Sequence, residues 1–123
     1  MRKAILAVVF CNLTLLAADV TGTWSGTVKV KRDGADQNES AYLILKQEGS
    51  TVTGSAGGRA DDQRPLENGK IQGDQITFEV PADNGTYKVS LKLQEDGETL
   101  TGEVRRERDG NVLIAQVEVK RNK

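Results

Sequence analysis

The chain of 123 residues has no histidine and a single cysteine, Cys11, which falls inside an apolar leader. Imidazole acid–base chemistry, Ser-His triads, thiol nucleophiles and Cys/His zinc sites all require these residues, so the domain after the leader can use none of them. Carboxylates, hydroxyls and arginines remain. Paired acids can hydrolyse a glycoside, and Asp61, Asp62, Glu95 and Asp96 are the candidates, but they stand in turn-like sequence where acids are solvated. Asp33, Asp36, Asn38 and Glu39 form an acidic loop whose spacing fits no standard calcium loop. Gly54-Ser55-Ala56-Gly57-Gly58 lacks the Lys-Ser/Thr and the following helix of a phosphate cradle. Ser25, Ser40, Ser50, Ser55 and Ser90 have no base in any recognisable motif, and Arg105, Arg106 and Arg108 alternate with Glu103, Glu107 and Asp109 as on a solvated charged face. The expectation is a protein without catalysis, metal or cofactor.

The elements that position these side chains are marked by glycine. Asp33-Gly34, Glu48-Gly49, Asn68-Gly69, Gly73-Asp74, Asn84-Gly85, Asp96-Gly97 and Asp109-Gly110 supply turn chemistry between runs of alternating apolar and polar residues. The runs predict strands over 20–31, 40–47, 50–56, 64–71, 75–81, 86–94, 98–106 and 111–121. Alternate residues on a strand face opposite ways. One phase carries Trp24, Val28, Leu43, Leu45, Val52, Phe78, Tyr87, Leu91, Leu100, Val117 and Val119, and the other carries residues such as Thr21, Thr23, Lys88 and Lys92. Eight antiparallel strands of this kind predict an all-β, up-and-down barrel with an oily interior and a wet exterior. A membrane barrel would reverse the two faces and want aromatic girdles, whereas the aromatics here are Trp24, Tyr42, Phe78 and Tyr87. Leu45 to Gly54 is echoed by Leu93 to Gly102, which either an internal duplication or shared hairpin chemistry would produce.

Residues 1–18 read as a signal peptide and 19–123 as one domain. Met1-Arg2-Lys3 is a basic start, Ala4 to Leu16 is mostly apolar, and Leu16-Ala17-Ala18 offers a small-residue cleavage site. The apolar stretch is too short for a membrane-spanning helix, which needs about 20 residues. Phe10 before Cys11 is too bulky for a bacterial lipoprotein signal. Export of a domain without disulfides fits a bacterial periplasmic or secreted protein. Without Arg2 and Lys3 the chain has 15 basic and 18 acidic residues, a net charge of −3, which offers no attraction for nucleic acid.

Val20-Thr21-Gly22-Thr23-Trp24 opens the first strand, and Arg121 on the last shares the inward phase of Val117 and Val119. First and last strands are neighbours in a closed barrel, so Arg121 is expected to lie across Trp24 as a structural lid. This Gly-x-Trp with a basic residue on the final strand resembles the calycins, the superfamily of lipocalins, fatty-acid-binding proteins and avidins. Val20 to Trp24 and Gly49 to Ala56 are most similar to avidin strands. The resemblance implies a small secreted bacterial barrel, but not the avidin ligand site. Gly26, Val30, Ala56 and Gly58 stand where avidins carry polar groups, and there is no second tryptophan.

Two readings of function follow. In the first, the interior holds a compact apolar ligand against Trp24, Val28, Leu43, Phe78, Tyr87 and Leu91, with Gly22, Gly26, Gly54 and Gly102 leaving room. Eight strands enclose a space that side chains can just fill, and a filled scaffold is the favoured form of this reading. In the second, the domain is an interaction module of the cell envelope. It would act through the loop 57–65 or an outer patch of Tyr42, Ile44 and Ile114, and would form a homo-oligomer.

Overall fold

The structure, a computed structural model, describes residues 19–122 except Asp33, Asn84 and Asp109, and the side chains of Arg32 and Arg108 are also outside the description. The leader, with Cys11, lies outside the described residues. Nine strands are described: β1 (Gly22–Arg32), β2 (Ala35–Glu48), β3 (Thr51–Arg59), β4 (Asp62–Pro65), β5 (Glu67–Gln72), β6 (Gln75–Ala82), β7 (Gly85–Leu93), β8 (Thr99–Arg108) and β9 (Asn111–Arg121). All pairings are antiparallel, and the sheet runs β2-β1-β9-β8-β7-β6-β5-β3-β4, with β2 also pairing β3. With that hairpin the ring is continuous, and the pairing of the first strand β1 with the last strand β9 is what shuts the meander on itself. β4 and β5 occupy one position in the wall, since β4 pairs the second half of β3 and β5 its first residue, with Leu66 N–H donating to Gly54 O at 3.0 Å between them. The result is the expected closed, eight-stranded up-and-down barrel.

Glycines with positive φ turn five of the connections, at Gly34, Gly49, Gly73, Gly97 and Gly110, and Gly85 opens β7. Asn68-Gly69 is different. It makes no hairpin but a bulge within β5, where Asn68 adopts φ 54° and the register with β6 shifts between Glu67 and Lys70. The predicted loop at 57–65 is in fact a hairpin, the end of β3 returning through Ala60-Asp61 into β4. Its turn carries no glycine, which is why turn chemistry gave no sign of it. β2 also begins at Ala35, so Asp36, Asn38 and Glu39 form strand and not an acidic loop; Asp36 and Asn38 share one face and Glu39 takes the other, and Asp33 lies outside the described residues. The two echoed segments differ in register. Leu45 pairs Gly54, whereas Leu93 pairs Leu100.

The inward phase is the core. Leu43, Phe78, Leu91 and Val117 are each at most 6% exposed, and Trp24, Ile76, Leu100, Val20 and Val119 are fully buried. At about 25 cal/mol per Å² of buried apolar surface, these residues supply the main driving force for folding.

Glycines within the strands have a role other than making room. A Cβ on Gly26 would collide with the carbonyl of Glu118, on Gly54 with that of Ile44, and on Gly102 with that of Ser90. The missing side chains let neighbouring backbones approach, and they do not open the interior. Gly54 also has φ +133°, where a side chain is strained. Gly54→Ala should therefore cost at least about 2 kcal/mol in urea unfolding, combining strain and overpacking; a change below about 0.5 kcal/mol would contradict so tight a β2–β3 seam.

Candidate functional site

The two ends of the barrel differ. At one end the largest core residue, Trp24, is wholly buried, and its indole Nε1–H donates to Val20 O at 3.0 Å. Trp24 pairs directly with Arg121 across the β1–β9 seam, and the guanidinium lies 4.4 Å from the ring centre. Its Nη1 donates to Thr21 O at 2.7 Å, and Nη2 to Asp19 O at 2.8 Å and Gly97 O at 3.3 Å, while Nε sits 3.5 Å from a Glu98 carboxylate oxygen. Arg121 thus stacks on the plug and ties both the segment before β1 and the β7–β8 turn over it. That turn is itself braced by Asp96, which accepts from Glu98 N at 2.8 Å and Thr99 Oγ1 at 2.9 Å. The Glu98 amide first and the Thr99 hydroxyl second hold the Asp96 carboxyl below the ordinary aspartate value. Asp19 is lowered likewise, chiefly by the Thr21 amide.

The opposite end is hollow. A cavity of about 360 Å³ enters the barrel there and stops above the Trp24 level. Its walls are Val28, Val30, Val80, Val89, Val104, Leu113 and Val117, with Leu43, Phe78 and Leu91 deeper in sequence toward the plug. The room comes from Ala41, Ala56, Gly58 and Ala115, small residues on the inward phase at this end. Polar groups are confined to the mouth, where Glu39, Ser40, Asp62, Arg64, Tyr87 and Arg106 gather. The volume lies within the range of about 300–1,000 Å³ usual for small-molecule sites. A larger depression of about 760 Å³ lies on the outer face near the β3–β5 seam, but charged and hydroxyl groups line it, among them Lys70, Glu79, Lys88, Glu103 and Arg105.

Of the residues predicted to face a ligand, Val28, Leu43, Phe78, Tyr87 and Leu91 line the cavity and Trp24 does not. Alternation identified the inner face correctly. It carried no information on height along the barrel axis, and Trp24 belongs to the filled end. The filled interior expected from strand number accordingly describes only one half.

Arg106 does not belong to the solvated face expected of Arg105, Arg106 and Arg108. It pairs Tyr87 across β7–β8, shares the inward phase of Leu100 and Val104, and is only partly exposed. Its Nη1 reaches Tyr87 Oη at 3.4 Å, a long contact, and the guanidinium carbon is 5.7 Å from that ring's centre. Its Nε is buried with no hydrogen-bond partner among the described residues. Arg64 faces inward too, opposite Ala56. The signal was present in the parity of 100, 102, 104 and 106, but charge alternation along the sequence masked it. Arg105 is exposed, as expected, and the Arg108 side chain lies outside the described residues.

The expected outer patch is not continuous. Tyr42 pairs Ser25, which pairs Lys120, and Ile114 lies six residues from Lys120 along β9, roughly 20 Å at strand rise. Ile114, 43% exposed, instead neighbours Val112, 50% exposed, on the outer face near the hollow end. Among the described residues no helix is long and apolar enough to cross a membrane, and no three acidic side chains are grouped to hold a cation.

Two outcomes are expected at the clasped end. Trp24→Ala should destabilise by about 3–5 kcal/mol in chemical unfolding, and a loss under 1 kcal/mol would show that the plug carries no weight. Because the folded-state pKa of Asp96 is depressed, its contribution is complete above the unfolded value near 4 and is lost as pH falls through the lower folded value. Thermal midpoints should therefore fall below about pH 4, and Asp96→Asn should flatten that acid limb while lowering stability at neutral pH; an unaltered limb would refute the assignment.

No protein-family model, no curated protein and no solved structure matches this chain.

Proposed function

We propose that the chain is a non-catalytic, exported, lipocalin-like barrel that takes a small, mostly apolar molecule into the hollow half of its interior. One observation carries the reading: the interior is sealed by Trp24 and Arg121 at one end and left as an aliphatic cavity of about 360 Å³ at the other. A scaffold alone has no use for such an asymmetry, because an unfilled apolar space forfeits packing contacts. The basic start, apolar stretch and Leu16-Ala17-Ala18 of the leader support export to the periplasm or medium. The closed eight-stranded wall, with Trp24 beneath a basic residue of the last strand, is compatible with a calycin-like fold and supports the lipocalin-like reading.

The exposed pair Val112 and Ile114 favours a second reading, an envelope interaction module that self-associates through the outer face of β9. Native mass spectrometry of the mature protein separates the two. The first reading expects a monomer that retains a small molecule or takes up decan-1-ol, and Ala115→Phe, which fills the hollow level, should abolish uptake with little effect on the unfolding midpoint. A bare multimer that takes up nothing, in wild type and variant alike, would overturn it in favour of the second.

A further inference from the structure

One stretch of strand edge in the wall stays open. The β2–β3 register begins at Tyr42 opposite Gly57, whereas β2 pairs β1 from Ala35 onward. Residues 35–40 therefore have β1 on one side and, among the described residues, no strand on the other. All six are exposed. The last tie across the seam is the Ser40 hydroxyl, which donates to Gly58 O at 2.7 Å.

Hairpin geometry decides which backbone groups face the gap. Glu48 and Thr51 flank a two-residue turn and exchange their bonds, so every second residue back along β2 directs N–H and C=O toward β3. Tyr42 O accepts from Gln63 Nε2 at 3.1 Å on that side, and Gln47 N–H donates the other way, to Thr21 Oγ1 at 3.0 Å. Asp36 and Asn38 share the parity of Tyr42, so their amides and carbonyls point out of the open edge. Such an edge is a template for another strand. β4, which among the described residues pairs only β3, is four residues long and ends in Pro65, the usual protection. The β2 edge has no proline, no lysine and no break in its register with β1. Its charges are already answered, because Asp36 lies opposite Lys31 and Glu39 has a partner.

Two copies fit this edge to each other. In an antiparallel pair about a twofold axis at Gln37, Asp36 of either copy faces Asn38 of the other. Both residues have outward backbone groups, so the two pairs make four main-chain hydrogen bonds. Each carboxylate meets an amide that can donate to it, Gln37 meets Gln37, and Glu39 meets Ala35. No like charges stand opposite each other, an arrangement that would destabilise the pair. The register that would oppose Asp36 and Glu39 fails, because residue 39 turns its backbone groups to β1.

We propose that β2 residues 35–39 form a self-complementary edge through which two copies of this chain pair antiparallel, joining their barrels into one continuous sheet. This stands apart from ligand uptake and from association through the outer face of β9. So short a seam buries less than the about 1,200 Å² of a stable interface, and the pairing is transient. A dissociation constant of about 1 mM leaves the protein monomeric at about 10 µM, as in native mass spectrometry.

Diffusion and amide-exchange NMR of the mature protein, from about 10 µM to about 2 mM, tests the edge. Diffusion should slow toward that of a dimer. The Asp36 and Asn38 amides should exchange about two- to threefold more slowly at the upper concentration, while that of Gln37, which faces β1, stays unchanged. Asn38→Pro removes an N–H that no bond within the barrel uses, so it should fold and stay monomeric throughout. Asn38→Asp sets carboxylates opposite each other at both pairs, and serves if the proline variant does not fold. It should be monomeric in low salt and regain part of the dimer in about 0.5 M salt. Ile114→Asp should leave the pairing intact. A wild type that remains monomeric at the upper concentration would overturn the proposal, as would a dimer that survives both Asn38 substitutions. A dimer lost in Ile114→Asp and kept in Asn38→Pro would overturn it in favour of the β9 face. Uptake of decan-1-ol should be the same in the Asn38 variants as in wild type, so the cavity reading stands or falls separately.

Discussion

Pairing of β1 with β9, from Trp24 opposite Arg121 to Val30 opposite Ala115, turns a meander into a barrel. A meander left open would expose a row of unpaired amides along each terminal strand. Closure removes both edges and converts the two faces of every strand into an inside and an outside. It also brings Arg121 to the carbonyls of Thr21 and Asp19, about a hundred residues earlier in the chain. The clasp over Trp24 therefore depends on closure, and strengthens it by holding together the two strands that must meet.

Once closed, the wall has a diameter set by strand number, and side-chain volume at each level decides what is left inside. Near the clasp, Trp24, Leu45, Ile76, Leu100 and Val119 are almost entirely buried and the space is consumed. At the far level Ala41, Ala56, Gly58 and Ala115 occupy inward positions and the same diameter is underfilled. Dense packing and open apolar space are thereby separated along one axis. The clasped half can be packed to the density of a core, while the other half keeps an apolar space with polar groups only around its entrance.

Much of this was legible in order along the chain. Alternation in segments such as Tyr87 to Leu93 and Leu113 to Val119 marked strands and sorted their faces, because the strand period of two is local and needs no partner. The Asp-Gly and Glu-Gly turns were equally local. What escaped were features defined between strands. The Ala60-Asp61 turn lacks glycine and is held by the β3–β4 ladder. Asn68-Gly69 has the composition of a hairpin turn, but flanking pairings with β6 make it a bulge. Gly26, Gly54 and Gly102 resemble spacers in a sequence and prove to be points of contact between backbones.

Residue types and their spacing determined an all-β chain, an oily face, a polar face and the absence of imidazole and thiol chemistry from the domain. They also placed Trp24 and Arg121 on neighbouring strands, given closure. Only the tertiary structure decided which inward residues share a level, and hence that Trp24 seals one end while Leu43, Phe78 and Tyr87 surround a cavity at the other. It alone drew Arg106 out of a run of alternating charges and set it at that cavity's mouth. The reason is geometric: phase along a strand is a property of the chain itself, whereas height in a barrel is set by the register of each strand against its neighbours.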